Sequence, residues 1–326
     1  MVLKSTLILF SFCLVHSLVT SYQVDQLPGP IAILGEGPHW DIEKQSLYYV
    51  DILNGSVHRY SYEDNKVYSA DVENEESVSF IIPVEGEKDK FAVGIGHRVG
   101  VLSWDGFATS AKIERSVFEV ESEDKLKGNR FNDGKADPVG RLVAGTMQKE
   151  NHDAPPEERI GNLYSYSKES NVTRLRSNIA ISNGLAWNEK NRKMYYIDSS
   201  DFRVREFNYD LEKGAIDEVR VLADFHVDGN KQDFAPDGMT IDKDGFLYVA
   251  TWGGSKVLKI DPSNGKTVKT FEFPCEQITS CAFGGPELDI LYVTSASFGD
   301  KPHPAGALFK VTDVGAKGLP MQKVKL

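Results

Sequence analysis

The sequence predicts an all-β chain folded as a six-bladed β-propeller, with four-stranded blades around a central channel. Three observations carry this. Short runs rich in Tyr, Val, Ile and Phe recur between Gly, Asp and Asn turn signals. Amphipathic helical periodicity is nearly absent. A compound pattern also repeats at intervals of roughly 42 to 54 residues, the length expected of a four-stranded blade.

Each repeat places a polar residue beside a small one, then an apolar strand, a turn, a "LYYVD"-like strand and a strand closing on Tyr or Asp. The first blade opens at Glu36 in "GEGPHWD" and runs through "SLYYVDI" and "VHRYSY". The second opens near Ser79 and holds "FAVGIG" and "VGVLSW". The third opens at Asn132 in "RFNDGKAD", followed by "RLVAGTM" and "GNLYSYS"; the fourth opens at Asn183 in "ISNGLAW", before "KMYYIDS" and "VREFNYD". The fifth opens at Asp237 in "APDGMTID", with "FLYVATW" and "KVLKIDP", and the sixth near Thr279, with "ILYVTSA" and "ALFKVT". First strands of a propeller line its channel, so these leading positions meet at one end although they lie some fifty residues apart. The competing reading makes Asn-Gly and Asp-Gly ordinary hairpin turns.

Ahead of the propeller, Lys4 precedes an apolar run from about Thr6 to Val19, with Ser17 and Ser21 as possible cleavage positions. This reads as a secretory signal peptide over residues 1–21, leaving residues 22–326 as a single domain bound for the cell exterior. The run falls short of the roughly 20 residues that cross a bilayer, so no membrane span is expected. Two sequons, Asn54-Gly-Ser56 and Asn171-Val-Thr173, suit that route. Cys13 lies in the leader, and Cys275 and Cys281 either form a bridge or remain buried thiols. A formal charge of −11 repels phosphate backbones and argues against nucleic acid as a partner.

If the leading positions converge, Glu36 and Asp237 contribute carboxylates and Asn132 and Asn183 contribute amide carbonyls. Such an all-oxygen set favours a hard cation, Ca²⁺, and leaves coordination positions open. Competing motifs are missing: the sequence has no HExxH, GxSxG, Cys-x-x-Cys or EF-hand loop, and "GIGHRVG" departs from the dinucleotide fingerprint. His39 reads as structural, and Trp40, Trp104, Trp187 and Trp252 as core or inter-blade packing. Asp133, in the "NDG" of the same motif, has two readings, contact with the ion through water and the preferred one, a turn cap, while Asp51, Asp198 and Ser199 read as partners for loop backbone. For Arg130 the alternative to a functional role is a salt bridge to Asp133 or Asp137.

The stretches "GEGPHWD", "NRFNDGKADPVGRLVAGTM", "ISNGLAW", "KMYYIDS", "PDGMTID" and "TSCAFGGPELDILYVTSA" resemble the SMP-30/regucalcin/gluconolactonase family, which includes the luciferin-regenerating enzyme of fireflies. The likeness runs from about Ile31 to the final "VKL". It implies a six-bladed propeller with one divalent ion at the channel mouth and, in characterised members, a metal-dependent lactonase, with a small-molecule lactone as substrate. By position, Glu36, Asn183 and Asp237 match the family's metal ligands. Asn132 matches a residue facing the substrate and metal-bound water, and Arg130 and Glu150 match side chains that hold substrate hydroxyls. The chemistry of the set makes Asp237 the candidate general base and Ca²⁺ the Lewis acid, with Zn²⁺ or Mn²⁺ as possible substitutes. A luciferin-regenerating activity on a heterocycle and a non-catalytic calcium-binding role are the other readings of the same site.

Overall fold

The structure, a computed structural model, describes residues 21–149 and 158–326. The expected leader, save Ser21, and Glu150 lie outside the described residues. The expected all-β, propeller-like architecture is what the chain adopts. Among the described residues the helical content is one 3₁₀ turn, Ser199–Asp201.

Four sheets have four strands each and one has eight. The larger sheet is two antiparallel meanders, Gly35–Asp41 to Lys66–Val72 and Ile81–Pro83 to Ser110–Glu119, joined only where Asp71 and Val72 pair in parallel with Ser110 and Ala111. Three further meanders begin at Asn129–Ala136, Ser182–Asn188 and Ala235–Ile241. The last sheet takes three strands from 278–312 and its outer strand from Gln23–Gln26, which pairs with Phe309–Thr312. The beginning of the chain therefore completes the final sheet and closes the ring.

Burial explains the sequence pattern. Second strands such as Ser46–Asp51 and Leu247–Trp252 are covered on both faces by neighbouring sheets, hence their continuous apolar and aromatic runs. Outer strands such as Asn171–Ile179 face solvent and are polar. Trp40 stacks on Tyr292 of the last sheet at 5.2 Å, and Trp104 packs on Tyr48 and Phe91, as the packing reading expects. Cys275 and Cys281 are buried free thiols, which decides between the two alternatives left by the sequence.

The first strands of the sheets pack on one another around the centre. They also share a local distortion. Register shifts fall between Glu36 and His39, Phe131 and Gly134, Ser182 and Leu185, Pro236 and Met239, and Ile278 and Ser280. Bulges at one level of five inner strands re-aim the residues that begin them and release backbone groups from the ladders.

Residues 315–326 run across the opposite end of the channel. Lys243 N donates to Lys317 O, Gly318 N to Leu288 O, Trp40 N to Met321 Sδ, Glu85 N to Val324 O and Lys325 N to Gly140 O. Apart from Trp40, which lies within a first strand, these partners belong to turns after the first strands of different sheets, so one segment straps that end of the molecule.

Candidate functional site

The four polar residues that open the sequence repeats are all buried at the bulged end of the inner strands: Glu36, Asn132, Asn183 and Asp237 are between 4% and 7% exposed. The Asn-Gly and Asp-Gly pairs are not hairpin turns. Gly184 and Gly238 lie inside inner strands, where a Cβ on Gly184 would come within 2.7 Å of Asp237 O and one on Gly238 within 2.1 Å of Ser280 Oγ. These glycines let adjacent inner strands approach closely.

An amide chain connects three of the expected site residues. Arg130 Nη1 donates to Phe131 O at 2.8 Å and to Asn132 Oδ1 at 2.7 Å. Asn132 Nδ2 donates to Ser182 O at 2.7 Å and to Asn183 Oδ1 at 3.1 Å. Asn183 Nδ2 donates to Ser199 Oγ at 2.8 Å. Both amides are thus fixed in orientation, and Asn183 Oδ1 keeps acceptor capacity. Ser199, expected to serve loop backbone, orients Asn183 instead. That role was legible only as the Ser following Asp in "YYIDS". Asp51 and Asp198 do serve backbone as expected: Asp51 accepts from Ile33 N and Leu34 N, and Asp198 from Ala180 N and Ile181 N. Asp137 is held by Arg141 and Tyr209.

Asp133 departs from the turn-cap reading. Its Oδ1 accepts from Gly134 N at 2.7 Å, but the residue is 2% exposed and its Oδ2 is buried without a partner. Asp237 Oδ1 is likewise buried and unpartnered, and Glu36 Oε2 accepts only from Gly37 N among the described bonds. Burial, then the charge of Asp133, pushes Glu36 up to about 8. Burial, then Glu36 and Asp133, holds Asp237 well above the usual carboxylate range, and burial raises Asp133 as well. Once ionised, carboxylates buried beside one another are stabilised by any cation that joins them.

Lys135 lies beside them. Burial depresses its ammonium, while Asp133, Cys281 and Glu36 favour its charge. His39 is pushed down to about 3 by burial, then Lys135 and Lys323, and sits neutral as a structural residue.

The donors suit a hard divalent ion: carboxylates of Glu36 and Asp237, the oriented Asn183 Oδ1, and the free Asp133 Oδ2 nearby. Among the described residues no three His, Cys, Asp or Glu side chains form a metal cage by themselves. Arg130, 2% exposed, stands at the same buried cluster through Asn132.

The SMP-30/Gluconolactonase/LRE-like region profile matches residues 34–297. Regucalcin of Gallus gallus is 37% identical over 294 residues, covering 88% of this chain and 93% of its own. A solved luciferin-regenerating enzyme is 38% identical with a TM-score of 0.85, covering 94% of this chain and all of its own. A calcium-binding regucalcin from Agrobacterium tumefaciens shares the fold at TM-score 0.78 and 24% identity, over 92% of this chain and 97% of its own. Among the described residues no helix is long and apolar enough to cross a membrane.

Proposed function

The chain belongs to the SMP-30/gluconolactonase/LRE-like family, and from that premise we propose that it is a Ca²⁺-dependent lactonase that opens a small sugar-acid lactone such as glucono-1,5-lactone. Zn²⁺ or Mn²⁺ would act as substitute ions. The observation that carries this reading is the co-burial of Glu36, Asp133 and Asp237, with Asp133 Oδ2 and Asp237 Oδ1 unpartnered, beside an amide chain leading to Arg130. A purely structural ion would need the carboxylates but would have no use for a buried guanidinium aligned next to them. We count the eight-stranded sheet as two blades, which makes six in one domain, and place the protein outside the cell on the strength of its leader sequence.

Glu36, Asp237 and Asn183 would hold the ion. Bound there, it supplies Lewis-acid polarisation of the lactone carbonyl and keeps the carboxylates ionised. Asp237 accepts the proton of the attacking water as the new C–O bond forms at the carbonyl carbon. The ring C–O bond then breaks, and the proton passes to the departing alkoxide, giving the open hydroxy acid. Arg130 orients substrate hydroxyls or the developing oxyanion through its planar fork. Asn132 fixes the Asn183 amide by donating to its Oδ1, and Glu150 would hold a further hydroxyl.

The test is acid release from glucono-1,5-lactone by chelated protein, before and after adding back Ca²⁺, Zn²⁺ or Mn²⁺. Activity should return with the ion and disappear in Asp237→Ala, whose β-sheet circular dichroism should match wild type. A folded protein that binds calcium but opens no lactone would turn the reading to a non-catalytic calcium-binding role. A second reading, an enzyme acting on a heterocyclic small molecule, draws support from the 38% identity to a luciferin-regenerating enzyme.

A further inference from the structure

Lys135 shares an inner strand with Asn132 and Asp133, is 8% exposed, and has no part in the chemistry above. Its Nζ reaches two neighbouring inner strands, donating to Leu185 O at 3.2 Å and to Met239 O. Both acceptors stand just past a bulge, one between Ser182 and Leu185 and the other between Pro236 and Met239. Asn183 and Gly184 lie inside the first bulge, Asp237 and Gly238 inside the second. One ammonium therefore occupies carbonyls of the two strands that carry the expected ligands, tying them to the strand that carries Asn132 and Asp133.

The charges around it have a clear imbalance. Glu36, Asp133 and Asp237 act on one another as like charges. Lys135 is the nearby cation that acts on both Glu36 and Asp133. Arg130 also acts on Glu36, but its Nη1 is directed to Phe131 O and Asn132 Oδ1. In a buried site, where screening is weak, a fixed ammonium beside clustered carboxylates alters both the stability of the empty pocket and the gain from filling it.

We propose that Lys135 is the built-in counter-charge and positioning residue of the metal pocket, holding its three inner strands together and offsetting one carboxylate until a divalent cation enters. The inference rests on the metal-binding reading. Its test compares wild type, Lys135→Gln, Asp133→Asn and the double variant by thermal melting in chelator and in saturating calcium. Lys135→Gln keeps a donor but removes the charge. It should lower the melting temperature more in chelator than in calcium, so that the rise caused by calcium exceeds that of wild type by a few degrees. Adding Asp133→Asn should restore the melting temperature in chelator towards wild type.

Equal losses with and without calcium, or no rescue by Asp133→Asn, would overturn the charge role. If Lys135→Gln does not fold in chelator, the double variant decides: a folded double variant supports the proposal and an unfolded one refutes it. If wild type gains nothing from calcium, the metal reading fails, while the rescue in chelator still decides whether Lys135 offsets Asp133.

Discussion

Gly238 shows how closely individual residues are constrained at the site. It follows Asp237, and its missing side chain is the space filled by Ser280 of the next inner strand. Gly238→Ala should destabilise the fold by roughly 2–4 kcal/mol, as overpacking and backbone displacement do in a tight core. Because the displacement falls on Asp237, calcium affinity should drop with it; denaturant melts and calorimetry would check the two together. Ser199→Ala is milder. It removes the acceptor of Asn183 Nδ2, and loss of such an orienting bond should weaken metal binding on the order of 10-fold with little change in melting temperature. Glu36, Asn183 and Asp237 were legible because each begins a repeat. Asp133 was legible only as the less favoured of two readings, and the roles of Lys135 and Ser199 were not, because they depend on which strands the bulges bring within reach, and in strands buried on both faces a bulge leaves no visible break in the side-chain pattern.

Among elements, the repeats were the most readable feature, since every inner and second strand carries its own apolar run and turn signal. The strap over residues 315–326 was invisible by the same logic: it has no periodicity and its partners are backbone groups of distant turns and of inner strands. Val324, fully buried, pairs with Val84 and packs with Val99, Val101 and Leu142. Val324→Asp would place an unpaired carboxylate there and should cost about 3 kcal/mol of stability. The measurement is a denaturant midpoint, and an unchanged midpoint would show that the strap is dispensable. The closing strand Gln23–Gln26 was equally hidden, because its pairing with Phe309–Thr312 joins the two ends of the described chain.

At the scale of the whole molecule, the ring brings carboxylates from separate sheets into one dry place, and its stability should report their charge. Glu36 is raised from 4.5 to about 8 in the folded protein. Between those values the folded state retains a proton that the unfolded state has lost, so metal-free stability should fall as pH rises through this window. Calcium displaces those protons, so it should raise the melting temperature more at pH 8 than at pH 5.5. His39 and His58, depressed by burial to about 3 and 4, act oppositely: their contribution is complete above 6.5 and is lost as pH falls through those lower values. The most direct test of the site is calorimetric titration of calcium into metal-free protein at pH 7, in two buffers of different ionisation enthalpy. The account predicts saturable binding with proton release, abolished in Asp237→Ala; absence of binding, or binding that releases no proton and survives that substitution, would contradict it.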